Sequence, residues 1–70
     1  MGRKLSTHES DAGKGYCEVH MNFKDEYAYI KYYDNTGKQF YVEEHPGQTV
    51  KDVTSTARKW AEGYYKLFED

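Results

Sequence analysis

Apolar and polar residues alternate along three stretches of this chain and recur at helical spacing along a fourth. From Tyr16 to Phe23, the residues Cys17, Val19, Met21 and Phe23 fall on one side, and Tyr16, Glu18, His20 and Asn22 on the other. A period of two is the mark of a half-buried strand. From Tyr27 to Tyr33, the residues Ala28, Ile30 and Tyr32 alternate with Tyr27, Tyr29, Lys31 and Tyr33. Tyrosine is amphipathic, so either set could line a core. Lys31 decides: a lysine in mid-strand is far less costly on the wet side, so Ala28, Ile30 and Tyr32 are expected to point inward. The same logic in the third stretch turns Phe40 and Val42 inward and Gln39, Tyr41 and Glu43 outward.

The connections fit antiparallel neighbours. Asp34-Asn35-Thr36-Gly37 is a turn ending in glycine between two β-rich runs, which reads as a hairpin. Lys24-Asp25-Glu26 is a short polar link, too short for a parallel crossover. Pro46 and Gly47 end the third strand. Thr49 then offers an N-cap, with Asp52 three residues on as an acidic variant of the capping box. Val50, Val53, Ala57, Trp60, Ala61, Tyr64 and Phe68 follow at steps of three and four, with Leu67 beside them. They form one apolar stripe. Gly63 interrupts it, at a cost of about 1 kcal/mol relative to Ala, and marks a helix end or bend near Glu62.

The expected fold class is α+β: a three-stranded antiparallel β-meander with one C-terminal amphipathic helix on one face, in the order βββα and two layers. The expected core is Cys17, Val19, Met21, Ala28, Ile30, Tyr32, Phe40, Val42, Val50, Val53, Ala57, Trp60, Ala61 and Tyr64. Residues 1–15 hold a single large apolar residue after Met1, namely Leu5. Such a segment has little to bury against its ordering entropy, so 1–15 is expected to be a flexible N-terminal tail and 16–70 the single small domain. Gly2 and Ser6 match the short N-myristoylation pattern, for which a solvated leader is the simpler reading.

Composition narrows the function classes. The 70 residues hold ten basic and twelve acidic side chains, a net charge of −2. Residues 1–15 carry +1 of this, so the remainder carries −3. Phosphate-backbone binding draws its affinity from clustered Lys and Arg, and an acidic domain disfavours nucleic acid as the partner. One cysteine, Cys17, cannot form an internal disulfide, which points to a reducing, cytoplasmic setting. No apolar run approaches the roughly 20 residues of a membrane span, and no signal-peptide core is present.

Tyrosine is the outlier, with eight in 70 residues. The alternation sets Tyr16, His20, Tyr27, Tyr29, Lys31, Tyr33 and Tyr41 on the sheet face away from the helix, with Glu18, Asn22, Gln39 and Glu43 among them. An open aromatic face marks a binding surface, and tyrosine offers rigid area with a polar tip. The alternative is that these tyrosines only stabilise strands through propensity and cross-strand pairing.

Other chemistry has less support. Cys17 and His20, with His8 and His45 as further ligands, invite a metal reading. Residues three apart on a strand point to opposite faces, however, and a zinc site needs convergent ligands. No cofactor is expected. No nucleophile motif or phosphate loop is present, and the pattern buries Cys17, so an enzyme is not expected.

Two resemblances bear on the partner. The βββα order, the Met1-Gly2-Arg3 start and the Tyr-rich hairpin from Tyr29 to Tyr41 are similar to the amino-terminal arm-binding domains of phage and transposon integrases. That resemblance implies a sheet laid in a DNA groove; those domains are basic where this one is acidic. The run Gly37-Lys38-Gln39-Phe40-Tyr41 followed by acids resembles a hairpin of the small phage inhibitor of uracil-DNA glycosylase, which implies a phage-type antagonist or accessory protein. The expected function is a small non-enzymatic protein-binding module using the tyrosine face, with a second copy of the chain among the partners it fits. Nucleic-acid binding through the same face is the alternative.

Overall fold

The computed structural model describes residues 2–67. Four strands and one helix follow in order: β1 (Gly2–Glu9), β2 (Tyr16–Asn22), β3 (Tyr27–Tyr33), β4 (Gln39–His45) and α1 (Val50–Ala61). The strands form one antiparallel sheet in sequence order. The class is α+β, as the alternation implied, with one strand more than expected.

The extra strand corrects the reading of residues 1–15 as a flexible tail. Gly2 to Glu9 pairs antiparallel with β2, from Gly2 opposite Asn22 to Glu9 opposite Tyr16, with a bulge between Lys4 and Ser6. Residues 10–15 form the turn into β2. Ser10 N–H donates to Gly15 O and Asp11 N–H donates to the Ala61 carbonyl at the end of α1, at 2.9 and 2.8 Å. This strand is held by ladder hydrogen bonds at a sheet edge, where little apolar surface is needed.

Register sorts every side chain. On the helix side the rows run Arg3–Met21–Ala28–His45, Ser6–Val19–Ile30–Glu43 and His8–Cys17–Tyr32–Tyr41. The two middle columns are almost wholly apolar and the outer columns polar. The helix lies over the middle. Val53, Ala57, Trp60 and Ala61 bury against Cys17, Val19, Ala28, Ile30 and Tyr32. Trp60 meets the Tyr32 ring edge-on at 5.1 Å. Each fully buried side chain of valine size or larger is worth about 1.5–3 kcal/mol.

Both helix ends follow the sequence signals. Thr49 Oγ1 accepts from Asp52 N–H at 3.1 Å. At the other end, Gly63 N–H donates to Trp60 O and Tyr64 N–H to Lys59 O, with Gly63 at φ 90. That is the Schellman arrangement, in which glycine takes the left-handed residue.

Gly63 also overturns part of the expected stripe. The chain reverses there, so Tyr64 points to solvent (82% exposed), while Tyr65 and Leu67 pack on the core. Phe68 lies outside the described residues. Phe23 falls in the β2–β3 turn and is exposed, beyond the end of β2 at Asn22.

Strand β4 is the second correction. Its register shifts where Tyr32 pairs with Tyr41 but Tyr33 pairs with Gln39, leaving Phe40 as the extra residue of a bulge. The bulge reverses the alternation beyond it. Tyr41 and Glu43 turn to the helix side, and Val42, opposite Lys31, turns away from it. Val42 is 38% exposed and Phe40, still touching Tyr32, 44%. Val50 is also exposed, outside the core expected for it.

Candidate aromatic face

Six of the seven residues expected on the open face are there: Tyr16, His20, Tyr27, Tyr29, Lys31 and Tyr33. Tyr41 is not. It packs against the core beside Tyr32, with ring centroids 6.0 Å apart.

The face is a grid set by register. Tyr16 lies opposite Tyr33, Glu18 opposite Lys31, His20 opposite Tyr29 and Asn22 opposite Tyr27. Strand β1 adds Lys4 beside His20 and Thr7 beside Glu18. Strand β4 adds Glu44 beside Tyr29 and Val42 beside Lys31. Two aromatic rows thus bracket one charged row. The positions from β1 have no alternating apolar pattern to mark them in the sequence.

The rings stand upright. Tyr16 and Tyr33 stack with centroids 4.8 Å apart and planes 12° apart, and His20 and Tyr29 at 5.3 Å and 13°. These distances are close to the separation of neighbouring strands, about 4.8 Å. Rings lying flat side by side could not come so near. Each pair is therefore stacked along the hydrogen-bonding direction of the sheet. The ring faces meet each other, and their edges and hydroxyls form the surface.

Glu18 sits at the centre. Its Oε1 accepts from His20 Nε2 at 2.9 Å and from Tyr33 Oη at 3.4 Å, and Lys4 Nζ stands 3.8 Å from Oε2. Burial, then the Glu18 charge, pushes the Tyr33 phenol up from its ordinary value. Lys31 Nζ lies 6.0 Å from the Tyr29 ring centroid, within cation–π range. Tyr27 Oη donates to Glu44, and that bond raises the Tyr27 phenol. The face is thus cross-tied by charge-assisted bonds, which hold the aromatic rows in one arrangement.

A second polar cluster lies on the helix side of β4. The Glu43 carboxylate accepts from Tyr32 Oη at 3.2 Å, His45 Nε2 at 2.8 Å and Tyr65 Oη at 2.5 Å. The bond to Glu43 pushes Tyr65 up to about 12, and burial raises Tyr32 further. This cluster ties residues 64–67, which follow the helix, to β4. Beside it, Phe40, Trp60, Tyr65 and Leu67 line a groove of about 240 Å³ with Ser10 and Lys14.

Cys17 and His20 lie on opposite faces of β2. Cys17 is fully buried, with its thiol pushed up to about 12 by burial and by Glu18, and Sγ is 3.9 Å from Ala57 O. Among the described residues, no three His, Cys, Asp or Glu side chains converge as metal ligands. No described helix is long and apolar enough to cross a membrane. Comparison with family models, curated proteins and solved structures finds no match for this chain.

Proposed function

We propose that this chain is a small, non-enzymatic protein-binding module and that its contact surface is the upright aromatic face of β2 and β3. The observation that carries this reading is the paired stacking of Tyr16 with Tyr33 and of His20 with Tyr29 on the sheet face opposite the helix. Stacked rings expose edges and hydroxyls, which suit the mixed polar and apolar contacts of a protein interface. They withhold the ring faces on which unpaired bases stack. The acidic charge of the domain points the same way. Pre-tied side chains lose little freedom on binding, which lowers the cost of association. An antagonist or accessory role toward another protein fits such a rigid, compact surface.

The test is capture from a lysate of the native host, with and without nuclease, using wild type and the Tyr29→Ser/Tyr33→Ser variant. The captured protein is then purified and its binding to both forms measured directly. Nuclease-resistant binding that the variant loses supports the reading. Binding that disappears with nuclease, or that the variant retains in full, overturns it.

A further inference from the structure

We infer that the groove at the C-terminal end of α1 binds a small organic anion, with a short apolar body and one acidic head, of which a medium-chain carboxylate is the simplest case.

Three parts of the chain build this groove. The β1–β2 turn supplies Lys14, the bulge of β4 supplies Phe40, and α1 with the residues after it supplies Trp60, Lys66 and Leu67. Phe40, Trp60 and Leu67 make the lining apolar, and Phe40 is 44% exposed. A bound apolar body would take this surface out of water. The walls are already tied. Tyr65 Oη donates to Glu43, and Asp11 N–H holds the β1–β2 turn to the Ala61 carbonyl. A preformed site loses little freedom on binding.

The charge of the groove is opposite to that of the chain. The chain carries −2 overall, yet the charged residues lining the groove are Lys14 and Lys66, and among the described residues no Asp or Glu lines it. Among the described residues, neither lysine is in an ion pair. Glu43, the carboxylate that Tyr65 reaches, is occupied by three donors. A helix C-terminus repels anions through its unsatisfied carbonyls. Here the last four, of Arg58, Lys59, Trp60 and Ala61, each accept an N–H group. What remains is two cations beside apolar walls, where an anion feels them more strongly than in open water.

Size narrows the ligand. The groove holds about 240 Å³. Drug-sized pockets hold about 300–1,000 Å³, so the apolar body is short, on the order of six to ten carbon atoms. A protein interface takes about 800 Å² from each partner, more than a handful of lining side chains can offer.

The experiment is titration of the full chain with octanoate and, separately, with octylammonium, which has the same body and the opposite charge. Trp60 is the single tryptophan and lines the groove, so its fluorescence reports occupancy. The expected result is a saturable change with octanoate at about millimolar concentration or below, the range for about ten non-hydrogen atoms at ordinary ligand efficiency, and none with octylammonium. Lys14→Gln/Lys66→Gln should weaken octanoate binding about fivefold or more and remove its salt dependence. Phe40→Ser should weaken it by a similar factor, and both variants should keep a wild-type circular dichroism spectrum. Equal response to octylammonium overturns the inference, since the contact is then merely apolar. So does the absence of a saturable response, or full binding by the double lysine variant. Binding that appears only when residues 68–70 are removed overturns it in favour of that segment as the occupant. A Trp60 signal that shifts on dilution without ligand overturns it in favour of a second copy. The groove lies on the helix side of the sheet and the aromatic face on the other. Tyr29→Ser/Tyr33→Ser should therefore bind octanoate as wild type does, so this inference and the protein-binding reading fail separately.

Discussion

A β-carbon on Gly15 would lie 2.0 Å from the carbonyl oxygen of Tyr33. The turn out of β1 is thus pressed directly against the end of β3, with Gly15 at φ 118. Gly13, in the same turn at φ 73, has open space around it. The pair separates two costs. Gly13→Ala should lose about 1–2 kcal/mol for left-handed backbone alone. Gly15→Ala must add the overlap, another 1–3 kcal/mol by the usual scale of overpacking. Chemical denaturation of both variants checks this, and equal losses would refute the contact.

Removing residues 1–9 should lower the melting temperature by about 10 °C or more, since about 1 kcal/mol corresponds to 4–8 °C in a domain of this size. The deletion strips the ladder from β2 and leaves a buried-core strand as the new edge. An unchanged melt would mean that β1 contributes nothing in solution.

Trp60 is the largest side chain of the helix stripe, 7% exposed, and it braces Tyr32. Trp60→Ala should cost about 3–5 kcal/mol, a large share of the stability of a small domain. Loss of a cooperative melt near room temperature is the expected outcome.

Where the pattern was legible, one physical signal dominated. In β2 and β3 the alternation is clean, and Lys31 separates the two faces of β3; in α1 the stripe from Val53 to Ala61, the Thr49 cap and the Gly63 stop all agree. Where reading failed, a local device outweighed the period. The bulge at Phe40 reversed β4, exchanging Val42 for Tyr41 on the helix side. Both orders look plausible in a strand reading Phe-Tyr-Val-Glu, because tyrosine tolerates either face. The reversal at Gly63 moved the packing role from Tyr64 to Tyr65. Strand β1 left no hydrophobic trace, because its inward residues Arg3, Ser6 and His8 border the core without filling it. The upright stacking of the aromatic rows depends on rotamers and had no sequence signal.

His8 supplies a pH prediction. Partial burial, then the Arg58 charge, lowers its imidazole below the ordinary value of 6.5, and Ser6 Oγ lies 3.0 Å from its Nε2. The unfolded chain therefore binds the proton first as pH falls. Its contribution to stability is complete above about pH 6.5 and is lost as pH drops through the lowered folded value. His8→Gln should remove this component, so the melting temperature of the variant should fall less than that of wild type between pH 7 and pH 5. Parallel pH profiles would show that His8 titrates alike in both states.

The aromatic face and Tyr41 together give the sharpest prediction, because the bulge in β4 separates residues that a regular strand would have grouped. Tyr29 and Tyr33 stand half-buried on the outer face, each stacked on a ring of β2. Replacing both with serine removes one ring from each stacked pair and leaves the helix-side core intact. Aromatic pairs are worth about 0.5–1.5 kcal/mol beyond burial, so the variant should remain folded with a modest loss. If these rings sit at an interface centre, each should cost about 2 kcal/mol or more of binding, roughly a thousandfold in Kd for the pair. Tyr41→Ser should do the opposite. It removes packing from Tyr32 and the core, so it should lower stability while leaving partner affinity within a few fold. Circular dichroism melts and titration calorimetry on both variants read the two quantities separately. Loss of affinity in Tyr41→Ser, with the outer-face variant binding as wild type, would place the contact surface on the helix side of β4 and refute the aromatic face as the site.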